Sequence, residues 1–168
     1  DFDSIDVAKL CLDSPIRRAS AAVGMLLGKS DEQTYHRCSA FLVGKSYVVT
    51  NWHCLTTGGP FYQGLRVTFN YERAGQYQGE QGVWTVGHPC ESVNETLLPN
   101  LDFALLSCGK NGDGLTPLEA VRTHYKDVPC PAGCFCGDNE RRIDGYLQFT
   151  DAVRPNSGRG AGYFVDRA

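Results

Sequence analysis

Short runs of apolar and β-branched residues recur along the chain between turn-forming residues. They lie at residues 21–27, 39–44, 47–50, 65–71, 82–87, 103–108, 145–150 and 162–165. Nineteen glycines and eight prolines separate them. No long stretch keeps an apolar period of 3.6 residues, and only residues 118–125 are predicted to form a short helix. This pattern predicts an all-β barrel or sandwich, because a parallel α/β fold would need crossover helices.

The composition is typical of a folded globular protein. The chain has 168 residues, of which 42% are hydrophobic and 21% are charged, enough for one domain or two small ones. The net charge of −3 favours neither nucleic acid nor a membrane surface as a partner. The basic pairs Arg17-Arg18 and Arg141-Arg142 are expected on solvated faces.

The longest apolar runs are too short to span a bilayer, and the opening residues DFDSIDVAKL lack the features of a secretion signal. We therefore expect a soluble protein whose signal has been removed.

Eight cysteines in a chain of this length predict up to four disulfides and a secreted, extracellular protein. The cluster of Cys130, Cys134 and Cys136 also raises the alternative of a zinc site. Because no second ligand pair has the usual spacing, we favour loop disulfides for this cluster. Cys108 and Cys11 are candidate partners, and the pairing stays open.

Residues 38–54 read CSAFLVGKSYVVTNWHC. Two strands joined near Gly44 would form a hairpin, and a Cys38–Cys54 bridge would tie the start of one strand to the end of the other. The backbone of His53 would then be held rigidly at the end of a strand. A general base requires such positioning.

This stretch resembles the histidine signature of chymotrypsin-fold, trypsin-like serine proteases, including the cysteine spacing, the VVT strand and the His-Cys pair. It departs from the family at Asn51-Trp52, where two alanines are common. Residues 100–106, NLDFALL, resemble the family's aspartate segment. The resemblance implies two antiparallel β-barrels, with His53 as the catalytic base and Asp102 as the carboxylate that orients it. It implies no metal or organic cofactor.

The third motif of the family resembles Asn156-Ser157-Gly158. The resemblance implies that Ser157 is the nucleophile and that its backbone N–H serves the oxyanion hole. Pro155 stands where the family has a glycine that donates a second N–H, and proline has none to donate. A serine elsewhere and the absence of a working nucleophile therefore remain alternatives. Asp151 matches the floor of the specificity pocket and predicts Arg or Lys selection. Asn156, however, is more similar to secreted bacterial glutamyl-endopeptidase-like members, so the side-chain preference stays open.

We predict three segments. Residues 1–15 are an N-terminal leader segment, residues 16–109 form the first barrel with the histidine and the aspartate, and residues 110–168 form part of a second barrel with the serine. Because only 11 residues follow Ser157, the second barrel is predicted to be incomplete in this chain and a second chain to complete it. The expected substrate is a protein or peptide.

Two other classes of function stay in view. One is a catalytically impaired pseudoprotease that binds a partner protein through the old substrate groove. The other is a disulfide-rich adhesion or inhibitor module, for which no Cys38–Cys54 bond is expected. Among the remaining residues, Trp84 is expected in the core or on the barrel surface. Solvent or turn positions are expected for His36, His88 and His124.

Overall fold

Six strands and three α-helices are present in the described part of the chain. The structure is a computed structural model that describes residues 6–56, 61–73, 75–94, 97–143 and 145. The strands are β1 (Val23–Lys29), β2 (Tyr35–Leu42), β3 (Tyr47–Thr50), β4 (Gly64–Thr68), β5 (His88–Ser92) and β6 (Ala104–Cys108). The helices are α1 (Pro15–Ser20), α2 (Gly79–Val86) and α3 (Pro117–Asp127), with short 3₁₀ turns at Val7–Lys9, Trp52–Leu55 and Pro99–Leu101.

The six strands form one closed antiparallel barrel. Their order around it is β1, β2, β3, β6, β5, β4, and β1 closes the barrel by pairing with both β2 and β4. Closure gives each of the six strands a neighbour on both sides, which limits the sheet edge that another chain could join. The predicted all-β barrel is confirmed in this part of the chain. The predicted runs 21–27, 39–44, 47–50, 65–71 and 103–108 overlap β1, β2, β3, β4 and β6, although most of the bounds differ by a few residues.

Aliphatic side chains from different strands fill the interior of the barrel. Leu26, Leu42, Val48, Val67 and Leu106 are fully buried and come from five separate strands. Truncating such a residue to alanine typically costs about 2–5 kcal/mol, because a cavity remains. The barrel is therefore a rigid support for the residues at the ends of its strands.

The strand predicted at residues 82–87 is wrong, because this run belongs to α2. Val83 is buried, and the Trp84 ring lies on the outer surface of the barrel, so that a Cβ at Gly64 would be 3.2 Å from it. The Arg66 guanidinium lies 5.3 Å from the centroid of the same ring. Trp84 is thus on the barrel surface, as expected. A short apolar run alone does not distinguish a strand from a helix that packs on a sheet.

The predictions from the sequence also missed strand β5 (His88–Ser92). Its sequence, HPCES, is polar and contains a proline, which weakens any strand prediction. In the barrel, His88 and Cys90 are buried while Pro89 and Glu91 between and beside them are exposed. The alternation is that of a strand with one buried face. This alternation cannot be recognised from the sequence alone, because nothing in the sequence shows that Cys90 faces the interior of the barrel.

Arg17 is fully buried, which contradicts the predicted solvated Arg17-Arg18 pair. Its guanidinium forms a 2.8 Å ion pair with Glu72 and also donates to the Val7 carbonyl. The Tyr125 hydroxyl donates to the Arg17 carbonyl at 3.0 Å. A buried charge persists only when it is paired and hydrogen-bonded. These contacts attach the residues before β1 to α3 and to the loop after β4.

All eight cysteines form disulfides. The pairs are Cys11–Cys134, Cys38–Cys54, Cys90–Cys108 and Cys130–Cys136. Cys38–Cys54 is the pair that the sequence predicted, and the predicted number of up to four disulfides is confirmed. The sulfurs that raised the alternative of zinc are bonded to other sulfurs, so none of them is a free thiolate ligand.

Residues after β6 form α3, which contains the predicted helix at 118–125. A capping box between Thr116 and Glu119 begins it. Between 109 and 143 the described residues include no strand. The division into segments 1–15, 16–109 and 110–168 and the second barrel remain predictions. None of the helices that the structure describes has the length and apolarity to cross a membrane.

Candidate active site

His53 lies in a 3₁₀ turn that follows β3 and is anchored by buried residues. The chain leaves β3 at Thr50 and enters the 3₁₀ turn at Trp52–Leu55. The Thr50 hydroxyl donates to the Ser39 carbonyl of β2 at 2.8 Å. Cys54 and Leu55 are buried, and Cys54 is bonded to Cys38 of β2. The His53 side chain is 66% exposed, so a fixed backbone presents the imidazole at the surface.

Asp102 lies at the entrance to β6. It follows the 3₁₀ turn at Pro99–Leu101 and has a left-handed backbone, with φ 49° and ψ 46°. β3 and β6 are antiparallel neighbours in which Thr50 pairs with Ala104. The end of β3 therefore meets the start of β6 at one rim of the barrel. This topology brings together two residues that are far apart in sequence.

The Asp102 carboxylate contacts His53 with both oxygens. Oδ1 accepts the backbone N–H of His53 at 2.9 Å, and Oδ2 lies 2.7 Å from the imidazole Nδ1. An ionised carboxylate only accepts hydrogen bonds. In the neutral imidazole the proton is therefore on Nδ1, and the lone pair of Nε2 is free to accept another proton.

The same contacts keep Asp102 ionised. The hydrogen bond from the His53 backbone N–H is the main cause that lowers the pKa of the Asp102 carboxyl below its usual value, and the imidazole and Asn51 add to it. Desolvation acts in the opposite direction but does not prevail. A negative carboxylate beside Nδ1 stabilises an imidazolium that forms when Nε2 takes a proton.

Exposed apolar side chains border this pair. Trp52, which replaces a common alanine of the resembled family, packs edge-on against Phe61 with ring centroids 6.4 Å apart. Phe61 is 53% exposed, and Leu101, next to Asp102, is 74% exposed. The large side chain at position 52 is thus accommodated at the surface without displacing His53 from Asp102.

A comparison with known families decides what kind of barrel this is. The family model described as Trypsin matches residues 14–136, which is most of the chain. The chain belongs to the trypsin family. The sequence resemblance and the predicted fold class are confirmed. The match includes His53 and Asp102, whereas Asp151 and Ser157 lie beyond it.

Solved serine proteases also resemble the chain. A thermostable serine protease from an extremophilic microorganism is 25% identical, with a TM-score of 0.43, over 61% of this chain and 48% of that one. A serine endoprotease from Yersinia pestis is 19% identical, with a TM-score of 0.39, over 58% of this chain and 29% of that one. The chain thus spans less than half the length of these serine protease structures. A comparison with curated proteins finds no match.

The structure brings together two of the predicted site residues, His53 and Asp102. Ser157 and Asp151 lie outside the described residues, as does Pro155. Sequence reasoning missed Asn51, whose side-chain amide also contacts Asp102. The available signal was its position in the trypsin-family motif, where it replaces an alanine.

Two further groups of side chains, the cysteines beside His53 and the histidine His88, do not add to the candidate site. His53 and the sulfurs of Cys38 and Cys54 lie within 4.8 Å of one another, but the sulfurs are bonded together, so only the imidazole could bind a metal. His88 is 2% exposed, and its Nδ1 contacts the Gly109 carbonyl at 3.1 Å. The solvent or turn position expected for His88 is therefore wrong, because this residue is on the inner face of β5.

Proposed function

We propose that the protein is a secreted serine endopeptidase in which His53, Asp102 and Ser157 form the catalytic triad. The observation that carries this proposal is the two-point contact between Asp102 and His53 on a trypsin-family barrel. The contact favours an imidazole with a free Nε2, which is the state a general base needs. Ser157 enters from its sequence motif.

In the proposed reaction, Ser157 Oγ attacks the carbonyl carbon of a peptide bond while its proton passes to His53 Nε2. Asp102 stabilises the resulting imidazolium. The tetrahedral intermediate collapses when the imidazolium returns the proton to the leaving amine, and an acyl-enzyme remains. Water then attacks the ester, giving its proton to His53, and the released Ser157 regains a proton. The Ser157 backbone N–H is the proposed oxyanion donor.

The substrate class and the setting are part of the same proposal. Membership of the trypsin family favours protein or peptide substrates, and Asp151 would favour Arg or Lys side chains. Four disulfides are typical of extracellular proteins. The second chain that would complete the second barrel remains a prediction, and mass spectrometry of the purified native protein tests it.

A fluorophosphonate probe tests the proposed nucleophile directly. The probe loses fluoride when an activated serine oxygen attacks its phosphorus, so we expect one covalent adduct, located at Ser157 by peptide mass spectrometry. Ser157→Ala should abolish labelling, and His53→Ala should nearly abolish it. His36→Ala is a matched control, because His36 stacks on Tyr62 and has no proposed role. An adduct on another serine would refute the role of Ser157.

Pro155 supports a second candidate, a pseudoprotease that binds a partner protein. The missing N–H at that position would remove one oxyanion donor, a change that costs about 10²–10³ in turnover in known hydrolases. A folded protein with four disulfides that the probe does not label, and that still binds peptides, would favour this candidate over the enzyme.

A further inference from the structure

A third donor holds the Asp102 carboxylate. Asn51 Nδ2 lies 3.1 Å from Asp102 Oδ2 and 3.3 Å from the Asp102 main-chain oxygen. Asn51 is the residue between β3 and the 3₁₀ turn that carries His53. One side-chain amide thus contacts both the carboxylate and the backbone of the same aspartate.

The chemistry of the contacts fixes the orientation of this amide. Both Asp102 atoms that face it are oxygens that only accept hydrogen bonds. Rotating the amide by 180° would place the Asn51 oxygen against two acceptors, so the donor must be Nδ2. The two contacts are therefore hydrogen bonds from Asn51 to Asp102.

Together, the donors restrict rotation of the carboxylate. The His53 backbone N–H holds Oδ1, while Asn51 occupies one acceptor direction of Oδ2 and leaves another for His53 Nδ1. The bond from Asn51 to the main-chain oxygen supports a non-glycine residue with φ 49°, a conformation that L residues adopt at a cost. The position and the plane of the carboxylate are thus both fixed from the turn that bears His53.

We propose that Asn51 is a positioning residue that orients Asp102 toward His53 and so maintains the Nδ1–H tautomer of the imidazole. This inference rests on the proposed function for its catalytic consequence. The tautomer itself is a property of the His53–Asp102 pair and exists whether or not a nucleophile is present.

The first experiment measures the tautomer by ¹⁵N NMR of the histidine rings in the full-length protein, at a pH where the imidazole is neutral. Asn51→Ala should lower the ratio of Nδ1–H to Nε2–H at His53 by about tenfold, the usual effect of losing one hydrogen bond to a charged group. Asn100→Ala is the matched control, because Asn100 is an exposed asparagine on the same rim. It should leave the ratio unchanged.

Asn51→Asp is a second variant of nearly identical shape. With both carboxylates ionised, it has no hydrogen to donate to Asp102 and repels it, so the tautomer ratio should then fall at least as far as in Asn51→Ala. A wild-type ratio in the folded Asn51→Asp protein would overturn the proposal. So would a wild-type ratio in Asn51→Ala.

Turnover of a peptide substrate supplies a second readout. We expect kcat to fall about tenfold in Asn51→Ala with KM unchanged, because the Asn51 side chain is proposed to act only through Asp102. An increase in KM alone would contradict the positioning role. If the wild-type protein has no protease activity, the proposed function fails, and the tautomer ratio still decides the role of Asn51.

Discussion

Replacing both cysteines of the Cys38–Cys54 disulfide with alanine should destabilise the barrel and slow the reaction at His53. This bond joins β2 to the 3₁₀ turn, and Cys54 is next to His53 in the chain. The Cys90–Cys108 disulfide offers a matched control, because it also joins neighbouring elements of the barrel. Cys108 is at the far end of β6, four residues or roughly 13 Å from the rim where Asp102 lies.

The expected losses of stability are nearly equal. The two bonds close loops with sequence separations of 16 and 18 residues. On the chain-entropy relation, each constrains the unfolded chain by about 3 kcal/mol. For a protein of this size that corresponds to a fall in Tm of about 6–12 °C. Thermal unfolding of the two double variants should therefore give similar midpoints, both below that of the wild type.

The losses of reactivity should differ. The rate of fluorophosphonate labelling is measured at a temperature where both double variants are folded. We expect the rate to fall about 10²-fold for Cys38→Ala/Cys54→Ala, because small displacements of a catalytic base have effects of this size. For Cys90→Ala/Cys108→Ala we expect a change within about twofold, because the rim of the barrel is left intact.

Equal labelling rates in the two double variants would refute the reasoning. They would show that the disulfide beside His53 stabilises the barrel without positioning the imidazole. A much larger fall in Tm for one variant would refute the entropic part, because loop length alone predicts equal losses.

Three further outcomes follow from the structure. Asp102→Asn should slow labelling by about 10⁴-fold, the effect known for this substitution in serine proteases, with circular dichroism as the check on folding. The pKa of Asp102 is lowered in the folded protein, so its ionised form should stabilise the fold above pH of about 4. This stabilisation should be lost as the pH falls further. The free energy of unfolding of Asp102→Asn should therefore depend less on pH in the acid range. Burial raises the pKa of Tyr125 to about 12. The free energy of unfolding should therefore fall between pH of about 10 and 12, and urea titrations should show a smaller fall in Tyr125→Phe.

Much of the barrel was predictable because local chemistry dictates it. The VVT run of β3 and the FALLSC run around β6 are strands in the structure, as their β-branched and apolar residues indicate. The His-Cys pair also pointed to a disulfide beside His53, and the bond is present. Local pattern was insufficient at α2 and β5. α2 packs against β4, and β5 has one face inside the barrel. These tertiary contacts, which the local sequence does not specify, determine both elements.

The sequence alone therefore determined the class of fold, the family, and the histidine and aspartate of the candidate site. Tertiary structure decided how the other six cysteines pair, why Arg17 is buried, and that Asn51 contacts Asp102. The physical reason is distance along the chain. Residues within a strand are constrained by their immediate neighbours. The contacts of Asp102 with Asn51 and His53 span about fifty residues and exist only because barrel closure brings the end of β3 to the start of β6.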